Sequence, residues 1–166
     1  MAASVTAKYD LKLNVYETLG LSQDLASDPA FTHAITGLSG VLDATTGVPA
    51  TKVWSDTRTL SGGTETLDLT ALTRSPAATV DMTGLKVQLV LIKADATNTQ
   101  VLTIAGAAAT PYELFGDSSG QTSIPAGGAT LIYGKDGLAD VSATVKSATI
   151  SSTHLTASYS IIIVAG

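Results

Sequence analysis

L-T-A-S-Y-S-I-I-I-V-A-G, residues 155–166, is the stretch of the chain that decides its fold class. Apolar residues recur at every second position, which is the spacing of a β-strand with one buried face. The alternate positions are polar at first and become apolar only toward the end. The stretch therefore predicts a strand that lies in a sheet core. The fully apolar set is Leu155, Ala157, Tyr159, Ile161 and Ile163, and the mixed set is Thr156, Ser158, Ser160, Ile162 and Val164.

The same alternation recurs upstream, separated by turn-forming segments such as Ser61-Gly62-Gly63. About eight short strands with frequent turns and very little helix predict an all-β fold. We expect a single antiparallel β-sandwich of jelly-roll or Greek-key type. The length of 166 residues fits one domain, 1–166. The expected strands lie at about 8–16, 53–60, 67–69, 85–92, 99–104, 129–133, 141–150 and 155–164.

Residues 17–51 interrupt this pattern, because they are rich in Gly, Ser, Asp and Thr and contain the breakers Pro29 and Pro49. The composition predicts a long irregular excursion, and long loops in compact domains usually make functional contacts. Asp28-Pro29 favours a short turn of helix over 28–33, as an N-cap and a first helical residue. One or two short strands near 34–42 remain an alternative.

The low fraction of charged residues limits the kinds of partner that we expect. Charged residues make up 14% of the chain, against about 25% in a typical soluble protein. So little charge suits a surface covered by copies of the chain or by a partner, and a neutral Thr/Ser-rich surface is the alternative. The formal net charge is −5 and the nine Lys and Arg residues are scattered singly. We therefore expect no direct binding of nucleic acid.

Cysteine usage and hydropathy exclude further classes. The chain has no cysteine, which removes disulfides, thiolate catalysis and cysteine-bound metals and is compatible with a reducing cytoplasm. The first residues lack the basic segment and apolar core of a secretory signal. The longest apolar runs, such as 161–165, are far shorter than the roughly 20 residues of a membrane helix. We expect neither a signal peptide nor a membrane span.

One segment suggests catalysis, and it is better explained as a turn. Residues 116–120 read G-D-S-S-G, similar to the nucleophile segment of chymotrypsin-like proteases but different at the fourth position. A triad requires a histidine base beside the serine, and the only histidines, His33 and His154, are isolated. Two isolated histidines also make a poor metal site. We predict a polar loop tip, no catalytic residue, no metal, no cofactor and no enzymatic activity.

Aromatic and apolar residues supply the candidate contacts. Trp54 opens a strand, which favours a core position over an interface anchor. Tyr112, Leu114 and Phe115 cluster in the turn-rich segment 105–128, where apolar side chains need cover. They are our candidate subunit or capsid interface, and burial in the chain's own core is the alternative.

Five segments resemble small tailed-phage virion structural proteins of the capsid decoration or minor capsid type. The resemblance implies a non-enzymatic structural protein of the particle, with the major capsid protein as partner and the virion, assembled in the host cytoplasm, as location. We further expect a homotrimer that stabilises the shell through symmetric contacts and touches neither nucleic acid nor membrane. The segments are V-W-S-D-T-R-T-L-S-G-G-T-E-T-L-D-L (53–69), L-K-V-Q-L-V-L-I-K (85–93), L-T-I-A-G-A-A-A-T-P-Y-E-L-F-G (102–116), I-P-A-G-G-A-T-L-I-Y (124–133) and S-Y-S-I-I-I-V-A-G (158–166).

The alternative function is a carbohydrate- or receptor-binding module of a phage tail or fibre. Such modules commonly stack sugars on exposed aromatic rings. Tyr16, Tyr112 and Tyr133 are the candidate rings in this chain.

Overall fold

The computed structural model describes residues 5–18, 30–74, 78–117 and 119–166. These residues form twelve β-strands and contain no helix, and every pair of strands is antiparallel. The all-β prediction is confirmed, whereas the expected count of about eight strands is too low. The strands are β1 (Ala7–Thr18), β2 (Ala30–Leu42), β3 (Lys52–Thr59), β4 (Thr64–Asp68), β5 (Leu72–Arg74), β6 (Ala78–Val80), β7 (Val87–Ala94), β8 (Leu102–Gly106), β9 (Gln121–Ile124), β10 (Ala129–Tyr133), β11 (Ser147–Ser151) and β12 (Ser158–Ala165).

Eight of the twelve strands form two four-stranded sheets. Sheet I has the order β10-β7-β12-β3, and sheet II has the order β4-β11-β8-β9. The remaining strands form two small sheets, β1-β2 and β5-β6. We call the β1-β2 sheet the arm. No described strand outside the arm pairs with β1 or β2.

One hydrophobic core receives side chains from both four-stranded sheets. The strand predicted from residues 155–166 is β12, which lies between β7 and β3 in sheet I. Tyr159, Ile161 and Ile163 are buried in the core, as the alternation predicts. The strand begins at Ser158, however, so Leu155 lies in the preceding turn and is 60% exposed. A turn there replaces the expected first residues of the strand.

Over 30–42 the chain forms strand β2 rather than an irregular excursion or a turn of helix, so the alternative of a strand near 34–42 is the one that holds, and the strand is longer than expected. Antiparallel pairing with β1 runs from Ala7↔Leu42 to Thr18↔Ala30. Such long-range pairing overrides weak local preferences. Asp28 and Pro29, the expected helix start, lie outside the described residues. Residues 43–51 form turns and coil up to the start of β3.

Three further strands were missed because they are short. β5 and β6 have three residues each and β9 has four, too few for alternation to be read. The described residues include no helix long and apolar enough to span a membrane.

Turns of the form Asp-x-Thr or Asp-x-Ser recur along the chain, several of them directly at strand ends. In each, one carboxylate oxygen accepts hydrogen bonds from the backbone N–H and from the hydroxyl two residues later. At Asp95 these bonds from Thr97 measure 2.8 and 2.7 Å. They pair backbone groups at positions where the sheet ladder stops. The five turns begin at Asp43, Asp68, Asp81, Asp95 and Asp117.

Candidate functional site

The outer face of sheet I, which points away from the core, changes from polar to apolar along its strands. Strand register arranges its residues in three transverse rows, because β10, β7, β12 and β3 are in contact side by side. The change explains why the second face of the 155–166 pattern becomes apolar only toward its end. The rows are Ala129, Lys93, Ser160 and Thr57; then Leu131, Leu91, Ile162 and Ser55; then Tyr133, Leu89, Val164 and Val53.

The arm is attached over the apolar end of this face. Leu42, Leu89 and Val164 are buried together there, with Ala7 and Tyr9 packed against them. This second hydrophobic cluster is separate from the core between the two sheets. The attachment of the arm therefore depends on apolar residues that the sheet presents on its outer side.

Tyr9 and Tyr133 form the polar part of the attachment. Their hydroxyl groups share a hydrogen bond, and their ring centroids lie 4.5 Å apart. The bond with Tyr9 raises the pKa of the Tyr133 phenol to about 12. Gly40 is opposite Tyr9 in register, and a Cβ there would lie 2.5 Å from the Tyr9 hydroxyl oxygen. A glycine at this position therefore lets the Tyr9 ring lie across the arm.

A cleft of about 660 Å³ opens beside the attachment, between the arm and the outer face of sheet I. One wall is residues 7–11 of β1, and the other is the apolar part of the sheet. Leu11 is 51% exposed and Ile162 is 40% exposed at this cleft. Large apolar side chains exposed around a concave surface are typical of a binding site for another molecule. The sheet residues of the lining are Val53, Leu89, Leu91, Ala129, Leu131, Ile162 and Val164.

Gln88 fastens the coil segment 43–51 beside the arm. Its side chain is buried, and its Nε2 donates to the carbonyl oxygens of Val48 at 2.8 Å and Lys135 at 3.3 Å. Its Oε1 is buried without a hydrogen-bond partner among the described residues. The backbone N–H of Thr51 donates to the carbonyl of Ala165 at 2.9 Å. The Gln88–Val48 and Thr51–Ala165 bonds hold the chain between β2 and β3 against sheet I.

Tyr112, Leu114 and Phe115 pack against the chain's own core. Tyr112 and Leu114 are buried, and Phe115 is half-buried against the same cluster. The Tyr112 hydroxyl donates to the carbonyl of Ala139 at 2.6 Å and accepts from the N–H of Val87 at 3.3 Å. Burial raises the pKa of the Tyr112 phenol to about 12. The chain itself thus covers Tyr112 and Leu114 and part of Phe115.

Trp54 is fully buried in the core, as its place in a strand predicts. Its indole N–H donates to the carbonyl of Thr73 at 3.0 Å, which joins β3 to β5. Beside it, the Arg58 guanidinium contacts the carboxylates of Asp56 and Glu65. The Tyr159 hydroxyl donates to Glu65 at 2.7 Å, so this network links β12 and β3 of sheet I to β4 of sheet II.

The residues considered for catalysis or metal binding lie in turns. Ser119 donates its backbone N–H and its hydroxyl to Asp117, which makes the 116–120 segment an Asp-x-Ser turn. His154 contacts Thr99 and Thr156 near the turn before β12. Within the described part of the chain, no three His, Cys, Asp or Glu side chains are grouped as metal ligands. The side chain of His33 lies outside the described part.

The three tyrosines considered for sugar stacking are in different situations. Tyr112 is buried in the core, and its ring has no open face for a ligand. One part of Tyr133 is covered by Tyr9. The side chain of Tyr16 lies outside the described residues. The described tyrosines therefore form no exposed aromatic platform.

Comparisons of the chain with protein-family models, with curated proteins and with solved structures found no match. Nothing in them links the chain to tailed-phage virion proteins, so that resemblance stays a hypothesis drawn from the residues. The geometry of the arm and cleft is the remaining basis for a functional proposal.

Sequence reasoning missed the arm and the cleft as the candidate site. A signal was present in β12, where Ile162 and Val164 are apolar at positions that alternate with the core positions. An apolar residue on both faces of a strand indicates that both faces are covered. Only the register with β7 and β10, however, places these two residues beside Leu89, Leu91 and Leu131.

Proposed function

We propose that the chain is a non-enzymatic structural protein of a tailed-phage particle, a capsid decoration protein that stabilises the shell through symmetric contacts. The observation that carries this proposal is the arm, whose strands of 12 and 13 residues pair only with each other among the described strands. An isolated two-stranded sheet is marginally stable in water. Its edges also keep unpaired N–H and C=O groups that favour pairing with another chain. A neighbouring subunit in an assembly supplies the missing surface.

We infer that sheets I and II form a β-sandwich of jelly-roll type. The strand pairs β3-β12, β4-β11, β7-β10 and β8-β9 are nested, as in one long hairpin with β8-β9 at its tip. Rolling such a hairpin brings β7 beside β12 and β8 beside β11, and both of these pairs are present. Jelly rolls occur in viral capsid proteins and in lectins. The fold therefore agrees with the proposal without selecting it.

The composition of the surface supports an assembly role. The cleft is largely apolar and contains only Lys8 and Asp10 as charged residues of its lining. The low charge content of the whole chain, 14%, also suits close packing between subunits. The proposed partners are further copies, in a homotrimer, and the major capsid protein of the particle, with the virion as location. Many weak symmetric contacts then add up to stable attachment.

The test is co-sedimentation of the purified chain with empty shells assembled from the major capsid protein encoded in the same genome. We expect saturable binding at a fixed ratio of three chains to one lattice position, and higher resistance of the shells to heat. The control is a β-sandwich domain of similar size from an unrelated protein, which shows how much protein is carried into the shell pellet non-specifically. Absence of co-sedimentation, or binding to a glycan array in its place, contradicts the proposal and favours a tail or fibre module.

A further inference from the structure

The cleft beside the arm is an apolar concave surface formed by described residues of β1 and sheet I. Among the large apolar side chains that are exposed, Leu11, Val53 and Ile162 all line it. Residues 7–11 of the chain's own arm already form one wall, and their attachment is fixed by the Tyr9–Tyr133 contact. Residues 7–11 are already a wall of the cleft, so a ligand of this surface packs between them and sheet I.

The arm itself has one face of matching character. Alternation along β1 assigns positions 7, 9, 11, 13, 15 and 17 to a single face, and the register with β2 adds the opposite positions. Ala7 and Tyr9 of this series pack on the sheet, and the register is irregular between Leu11 and Leu13. In sequence, the positions of the series are mostly apolar, with Glu17 near the far end. The register pairs of this series are Leu11↔Leu38, Leu13↔Ile35, Val15↔His33 and Glu17↔Phe31.

Charge is complementary between the two surfaces. On the outer face of sheet I, the apolar row that contains Leu91 is followed by the row that contains Lys93. On the arm, the apolar position of Val15 is followed two residues later by Glu17. An arm laid along the sheet with its apolar positions over Leu91 and Ile162 brings a carboxylate toward an ammonium group.

We propose that the arm of one copy of this chain lies in the cleft of a second copy. Each chain carries one apolar cleft and one arm whose register positions are mostly apolar in sequence, so a second copy supplies a complement for both. Passing the arm to the next subunit around a closed ring covers every cleft. This inference rests on the proposed function and specifies its contact between copies.

The first test uses the absence of cysteine in the chain. A Leu13→Cys variant and an Ile162→Cys variant, carrying tags of different size, are mixed and mildly oxidised. We expect a mixed disulfide dimer, because arm exchange brings these positions from different copies within bonding distance. The matched control replaces Ile162→Cys by Val101→Cys, a similarly exposed apolar residue next to β8 in sheet II. Because register along the arm is unknown in the complex, Val15→Cys is tested in parallel with Leu13→Cys.

Two outcomes overturn the inference. One is a yield of mixed dimer no higher than with Val101→Cys, for both arm positions. The other is a disulfide formed within single chains of the double variant Leu13→Cys/Ile162→Cys, which would make the chain's own arm the occupant. Both variants are first compared with the original chain by thermal unfolding, so that loss of structure is recognised.

The second test measures the native mass by light scattering over a concentration series. Ile162→Asp places a charge in the cleft at a position already 40% exposed. We expect its dissociation constant for self-association to rise about tenfold or more, whereas Leu155→Asp leaves it unchanged. Glu17→Lys should weaken association, and adding Lys93→Glu should restore it. A mass unaffected by Ile162→Asp and by both charge changes contradicts arm exchange.

Failure of this inference is distinguishable from failure of the proposed function. Shell binding without arm–cleft cross-links would leave the decoration role in place and refute the exchange. Cross-links without shell binding would establish the exchange and refute the decoration role.

Discussion

Tyr9 and Tyr133, which are 124 residues apart in the sequence, meet through a hydrogen bond between their hydroxyl groups, and their rings are inclined at 41°. One residue belongs to the arm and the other to the edge strand β10 of sheet I. The contact fixes the position of the arm over the outer face of the sheet. It thereby defines one wall of the cleft.

Gly40→Ala should loosen the attachment of the arm to sheet I, because the added Cβ would displace the Tyr9 ring. We expect faster hydrogen exchange at residues 5–11 and 39–42, while the exchange of β7 and β12 stays slow. Gly47→Ala is the matched control, since no atom lies within 4 Å of a Cβ at that position. Equal exchange in the two variants would contradict the role of the Tyr9–Tyr133 contact.

Tyr112→Phe should destabilise the core by about 1–3 kcal/mol, because the carbonyl of Ala139 and the N–H of Val87 lose their partner. Urea unfolding at pH 7 measures this against the original chain. The pKa of Tyr112 is raised to about 12 from 10.0. Its contribution is therefore complete below pH 10 and is lost as the pH rises through 12. A Tyr112→Phe variant with the same alkaline profile as the original chain would refute this assignment.

Acid should destabilise the protein through the Asp-x-Thr and Asp-x-Ser turns. Hydrogen bonds from the backbone and hydroxyl of Thr97 lower the pKa of Asp95 from 3.8. A lowered pKa means that the carboxylate contributes stability above pH 3.8, and that this contribution is lost as the pH falls further. Asp95→Asn should reduce the pH dependence of unfolding below pH 4, measured by urea titration. Asp10→Asn is the control, because Asp10 is an exposed residue near the start of β1. The pKa values of Asp43, Asp81 and Asp117 are lowered in the same way.

Glu65→Gln should weaken the link between the two four-stranded sheets. The change removes the charge that contacts Arg58 and that accepts the hydroxyl of Tyr159. Burial and the contact with Glu65 raise the pKa of Tyr159 above its ordinary range. We expect a loss of about 1–2 kcal/mol, since the network is partly exposed, and a lower pKa of Tyr159 in ultraviolet titration. The exposed Glu113→Gln is the control, and an identical effect there would refute the prediction.

Gln88→Glu should be far more damaging than Gln88→Met. The carboxylate would face the carbonyl oxygens of Val48 and Lys135 in a buried site, where a charge without a donor is costly. Methionine has a similar length, and it also removes the buried Oε1 that lacks a partner. We expect a loss of several kcal/mol for Glu, about 1–2 kcal/mol for Met, and faster hydrogen exchange at 43–51 in both. Equal unfolding free energies for the two variants would contradict this reading.

Local pattern predicted the strands that have enough residues to show it. Alternation at 53–60, 85–92 and 129–133 corresponds to β3, β7 and β10 within a few residues. β2 was expected only as an alternative near 34–42, because Gly37, Gly40 and small residues interrupt its alternation. The cleft was missed for a related reason. Its lining comes from five strands. The sequence does not say which of these strands are neighbours in the sheet, so it does not place their outer residues side by side.

The sequence by itself determined the all-β class and the core face of β12 and favoured the burial of Trp54, because alternation and side-chain volume act locally along one strand. It also determined the chemistry of the turns, since an aspartate reaches the backbone only two residues away. The tertiary structure alone decided that Tyr112 and Leu114 belong to the core and that the outer face of sheet I is apolar at one end. It also decided that the arm lies over that end. These features depend on register between strands that are far apart in the chain, and register is set by packing of whole faces rather than by any one segment.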